Sequence, residues 1–145
     1  MEQQNLIAQA RDIVTQAPIA DLATVDENGF PHLRPMLTLG TDDDFTVYFS
    51  TARDMRKCLQ INANHNVAVS WSANEDDMVN WKHVLIKGKA EVSDEKSIRH
   101  RMWSEMLAPY FPGGADDPNY VLIVVKPTEL FLTEGENYPA KSVEF

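Results

Sequence analysis

The stretch FSTARDMRK, residues 49–57, places two hydroxyls, Ser50 and Thr51, close to three cations, Arg53, Arg56 and Lys57. These residue types together bind phosphate. Hydroxyls donate to its oxygens, and guanidinium or ammonium groups add charge-assisted hydrogen bonds. The 145-residue chain holds 13 Lys and Arg against 22 Asp and Glu, a formal charge of −9. A positive spot on so acidic a chain stands out. The same acidity repels nucleic acid and anionic membrane, which sets aside a general polyanion-binding role.

These residues need elements to position them. Phe45, Val47 and Phe49 alternate, so Phe45–Thr51 reads as a strand. Residues 53–63 read as a helix with Met55, Cys58, Leu59 and Asn62 along one side. Thr51-Ala52-Arg53-Asp54 fits the capping-box pattern and places Thr51 at the helix N-cap, where unpaired N–H groups attract phosphate. Lys57 lies within reach of that end and Arg56 adjoins it. Arg34 belongs to a strand expected over Phe30–Leu39. There Leu33, Leu37 and Leu39 point one way and His32, Arg34 and Met36 the other. Pro31 and Pro35 cannot donate to a ladder, so they imply an edge, a bulge or a split between sheets. Spacing alone leaves two readings open: a phosphate cradle, or a capped helix with a solvated basic face.

The remaining chain supplies the frame. A helix over Leu6–Ala17 stops at Pro18, residues 19–25 read as a strand, and Asn28-Gly29 marks a hairpin turn. Gly40–Asp44 is a second turn. Further strands are expected at Val67–Ser72, 79–92 and Tyr120–Val125, with another at Glu129–Thr133. Asn74–Asp77 is an acidic turn. Ser93-Asp94 is expected to cap a helix carrying Ile98, Met102, Trp103, Met106 and Leu107, and Pro109 ends it. Residues 135–145 read as a loose tail. Tight turns with few helices predict a mainly β, α+β protein. The expected form is a single domain over 1–145, built as a β-barrel or sandwich of six to seven mostly antiparallel strands with peripheral helices.

Several chemistries are excluded or unsupported. Neither GxGxxG nor Walker A occurs. The lone Cys58 allows no intrachain disulfide and no multi-cysteine zinc site. His32, His65, His83 and His100 show no metal-ligand spacing, so no metal is expected. Trp103 is expected in the core. Trp71 and Trp81 are either core or a wall of an interface or ligand site. The N-terminus lacks signal-peptide features and Val121–Val125 is too short to span a bilayer, so a cytoplasmic location is expected.

Four pieces resemble the FMN-binding split barrel of the pyridoxamine 5′-phosphate oxidase superfamily. RPML at 34–37 corresponds to its arginine-bearing strand, and FSTARDMRK keeps its Thr-to-Lys spacing. LQINANHNVAVSW at 59–71 and KHVLIKGKAEVS at 82–93 resemble the segments that follow. The tryptophan helix and FPGGADDP loop resemble the general stress protein 26-type branch. The resemblance implies a homodimer with FMN at the subunit interface. Arg34, Ser50, Thr51, Arg56 and Lys57 would hold the phosphate and ribityl chain. Pro35, Met36 and Leu37 would lie along the isoalloxazine, with Lys82 and His83 approaching from the partner subunit. The family's substrate groups are incomplete: Leu39 replaces a lysine, Met55 a serine, and the C-terminal basic segment has no counterpart. This implies an FMN-dependent oxidoreductase that is not a true vitamin B6 oxidase, with a nicotinamide cofactor as one candidate donor and a substrate left open. No catalytic residue is assigned. The alternative is a non-enzymatic stress or sensor protein holding flavin, a deazaflavin or haem.

Overall fold

Period-two alternation builds most of the wall of this protein. The computed structural model describes residues 1–145. In chain order the elements are α1 (Glu2–Gln16), β1 (Ile19–Val25), β2 (Pro31–Thr41), β3 (Val47–Ala52), α2 (Arg56–Ala63), β4 (Asn66–Ala73), β5 (Lys82–Ser93), α3 (Lys96–Met102), β6 (Tyr120–Glu134) and β7 (Lys141–Ser142). The strands pair in the order β3-β2-β1-β4-β5-β6, every pair is antiparallel, and β3 pairs with β6 to close a six-stranded barrel. β7 adds to β6 outside the ring. The expected mainly β barrel with peripheral helices is what the chain forms.

Inward residues of the strands make the main core. Leu22, Phe49, Val69, Trp71, Val84, Ile86, Ile123 and Leu132 are all buried in it. The apolar stripe of α1, Leu6, Ala10, Ile13 and Val14, packs into the same cluster. A second, smaller core forms on the other face of β3 and β6. There Tyr48, Tyr120, Leu122 and Val124 are covered by Leu107 and Phe111, with Trp103 packed edge-on to Tyr120 at 5.4 Å. Trp71 thus takes the core reading, and Trp81 is half-buried.

Several expectations change in the structure. The helix expected from residue 53 begins at Arg56, with Met55 at its N-cap and no side-chain cap bond. Thr51 is a strand residue, paired with Val121 of β6. The ladder satisfies its backbone before a cap can form. The buried side of α2 is Cys58, Gln60 and Ile61, while Leu59 and Asn62 are exposed. The long helix after Ser93 is broken: α3 ends at Met102 and a separate 3-10 turn spans Glu105–Leu107, capped by Ser104. The Ser93 hydroxyl accepts from Glu95 N–H outside the helix. Residues 120–134 form one continuous strand rather than two. The tail is not loose, because β7 pairs with Phe131 and Leu132, Val143 is buried, and Phe145 packs edge-on to Phe45.

Phe45 itself precedes β3 with a left-handed φ of 64°. Gly88 marks a register shift between β5 and β6, where an added Cβ would lie 2.4 Å from the Lys126 carbonyl oxygen. The obstacle is backbone and cannot swing aside. Gly88→Ala is expected to lower unfolding stability by about 1–3 kcal/mol, read as a drop in urea midpoint with unchanged slope.

Candidate functional site

β2 changes partners along its length. Residues 31–37 bond to β1, from Pro31 opposite Val25 to Leu37 opposite Ile19. Pairing with β3 involves Thr38, Gly40 and Thr41. The stretch 31–37 is therefore an open edge, the setting in which Pro31 and Pro35 are tolerated, and a bulge follows between Thr38 and Gly40. Along this edge the side chains alternate as expected. His32, Arg34 and Met36 are half-buried, with Met36 packed on the main core, whereas Leu33, Pro35 and Leu37 face outward. Leu33 is 70% exposed and Leu37 47%.

The Arg34 guanidinium is held by neutral oxygens. Nη1 donates to Leu22 O at 3.2 Å and to Thr24 Oγ1 at 2.9 Å, and Nη2 reaches Gln60 Oε1 at 3.5 Å. Thr24 Oγ1 in turn donates to Gln60 Oε1 at 2.6 Å. Lys57, three residues before Gln60 on α2, lies beside this group. Burial pushes its ammonium below the usual lysine range, and the nearby Arg34 charge pushes it further. Burial lowers Arg34 in the same direction. Each ion pair of the molecule involves other residues, so Arg34, Arg56 and Lys57 have no carboxylate within salt-bridge distance. Arg53, by contrast, is occupied. It pairs with Asp94 at 3.4 Å and donates from Nε to Pro118 O at 2.8 Å.

The other sequence-derived residues fall in different places. Thr51 is buried, on the inward side of β3. The Cys58 thiol donates to Ala52 O at 3.5 Å, and burial raises its pKa. Ser50 is on the opposite face with Tyr48 and Ala52, toward the second core, so the two hydroxyls do not converge. Arg56 lines an adjoining cleft of about 400 Å³ together with Asp26, His32, Leu59 and Gln60. His32 Nε2 lies 2.8 Å from Asp26 Oδ2 and holds that carboxyl below the usual range. Lys82 and His83 start β5, separated from β2 in the sheet by β1 and β4. Lys82 Nζ donates to Gln9 of α1 at 2.6 Å. His83 faces the other way and is half-buried. Burial pushes its imidazole pKa down, partly offset by Asp21.

One chain thus brings together Arg34 and Lys57, with Arg56 next to Lys57 on α2, and keeps Ser50, Lys82 and His83 apart from that group. Two half-buried like charges without counter-ions are costly, and an anion relieves the cost. The arrangement presents two adjacent cations to an anion, and the paired His32 and Asp26 lie in the adjoining cleft. Sequence reasoning misses Thr24 and Gln60. The available signal is a hydroxyl at the inward parity of β1, after Ala20 and Leu22, and an amide at a buried helical position.

Comparison with known proteins adds an independent line. A model of the pyridoxamine 5′-phosphate oxidase-like family matches residues 5–134. General stress protein 26 of Bacillus subtilis is 29% identical over 140 residues, covering 96% of each chain. The crystal structure of general stress protein 26 from Bacillus anthracis superposes with a TM-score of 0.78 at 23% identity, over 95% of this chain and 98% of that one. A pyridoxamine 5′-phosphate oxidase-related, FMN-binding protein from Nostoc punctiforme gives a TM-score of 0.72 at 21% identity, over 98% and 88%.

Proposed function

The chain belongs to the pyridoxamine 5′-phosphate oxidase-like family, and on that premise we propose that it binds FMN, with the phosphate held by Arg34 and Lys57. The observation that carries this reading is the cation pair itself: half-buried, adjacent, and anchored only by neutral groups. Such a pair fits a phosphate dianion. Arg56 at the cleft supplies a third charge. Pro35, Met36 and Leu37 lie along the open β2 edge, where a flat ring can stack against backbone that no neighbouring strand covers.

The site is completed by a second copy of the chain. Leu33, Pro35 and Leu37 form an exposed apolar row beside the cradle, and Ile19 opposite Leu37 extends it. Water contact at such a row is removed when two copies pack face to face. Lys82 and His83, remote from the cradle within one chain, then reach it from the other subunit.

FMN, once bound, supplies hydride or electron transfer, and the protein binds, orients and shields it. The chain fits the role of a flavin-dependent oxidoreductase with a nicotinamide cofactor as donor. Two features speak against a vitamin B6 phosphate substrate. Leu39 packs on the second core, so no cation projects there, and Met55 offers no hydroxyl at the start of α2.

A visible absorption spectrum of the purified protein, followed by titration with FMN, tests the reading. Two flavin bands and saturable binding are expected. A Soret band would move the assignment to haem, and no binding of either ligand would overturn the proposal.

A further inference from the structure

We infer that Thr24 and Gln60 are positioning residues that keep Arg34 aimed and uncompensated, and so set the preference of the site for a phosphate ester over an uncharged analogue. The inference rests on the FMN reading above and concerns residues that act through Arg34.

Three observations carry it. Every acceptor of Arg34 is neutral: a carbonyl, a hydroxyl and an amide oxygen. A carboxylate at any of these positions would cancel the guanidinium charge and compete with an incoming anion. The bonds also have a fixed sense. Thr24 Oγ1 accepts from Arg34 and donates its own proton to Gln60 Oε1, so both donors converge on one amide oxygen and settle the amide orientation. Finally, Thr24 is 0% and Gln60 7% exposed. Polar groups this deep need partners, and these two find them in each other and in Arg34.

The geometry has a mechanical consequence. Thr24 lies on β1, Arg34 on β2, and Gln60 on α2 with Lys57 one helical turn before it. The relay thus ties together the elements that carry the two cations. Left free, Arg34 and Lys57 would repel and swing into water. Tied, β2 and α2 hold their relative positions, and the ordering cost is met before the ligand arrives.

Gln60→Glu and Thr24→Val test this in the flavin-free full-length protein. Affinities for FMN and riboflavin are measured by flavin fluorescence, alongside the rise in Tm with inorganic phosphate. The carboxylate introduced by Gln60→Glu would pair with Arg34, and FMN affinity is expected to fall about a hundredfold with riboflavin unchanged. Thr24→Val, which keeps the shape and removes the relay hydroxyl, is expected to lose about tenfold for FMN alone. The phosphate-induced rise in Tm shrinks in both variants. Equal weakening of both flavins, or unchanged FMN binding, in the folded variants overturns the inference. If the wild type binds neither flavin, the FMN reading fails, and the phosphate shift decides this inference separately. It stands if the shift is present in the wild type and lost in the variants, and it falls otherwise.

Discussion

Lys57→Ala is expected to lower FMN affinity about thirty- to a hundredfold while riboflavin binding stays nearly constant. The two ligands differ by the phosphate, and Lys57 forms no ion pair within the chain. Its ammonium is half-buried beside Arg34, and both burial and that neighbouring charge disfavour its charged form. A dianion between the two cations converts that repulsion into two charge-assisted contacts. The same reasoning gives a second readout. In the flavin-free protein, removing Lys57 relieves a like-charge contact, so the apo Tm is expected to hold steady or rise. Fluorescence titration with both flavins and a thermal melt check the pair of outcomes. Equal loss for the two flavins, or a collapse in apo stability, would contradict the assigned role.

Leu33→Glu combined with Leu37→Glu is expected to convert a dimer into a monomer and to abolish FMN binding with it. Both side chains face outward in the single chain, so the fold does not need them. In a two-fold interface each position counts twice. Four leucines at the low end of their transfer energy are worth about 6 kcal/mol, roughly a ten-thousandfold change in the dimerisation constant. Light scattering after size exclusion reads the mass, and circular dichroism reads whether the barrel survives. A wild type that is already monomeric would sink the two-copy site. A dimeric variant that still holds FMN would do the same.

Much of the frame is legible in the sequence because it is written in local periodicity. The alternation of β1 and β2, the turn at Asn28-Gly29, the proline-marked edge and the side of β2 on which Arg34 lies all follow from spacing. What is not legible depends on partners distant in sequence. Thr51 through Asp54 satisfies a capping pattern, yet Thr51 pairs with Val121. A β-branched residue in a central strand gains more from a ladder and buried packing than from a helix cap. Alternation separates Leu33 and Leu37 from Arg34, but not which set turns inward, since an exposed apolar row carries the same residue types as a core. Thr24 and Gln60 are 36 positions apart, and their meaning emerges only where β1 and α2 meet.

Strand β6 carries a consequence for how the molecule opens. Its residues Leu122–Val125 are flanked on one side by β3 and on the other by β5, and all are buried. Their amide hydrogens leave the ladder only when the whole ring comes apart. The stretch 31–37 is bonded along one margin only, so it can breathe while the seam at β6 stays shut. Opening at the β2 margin and global unfolding therefore draw on different strands, with β3 between the free margin and the β6 seam. A loosened β2 margin is expected to speed amide exchange over 31–37 without lowering the melting point, and a damaged seam to lower the melting point.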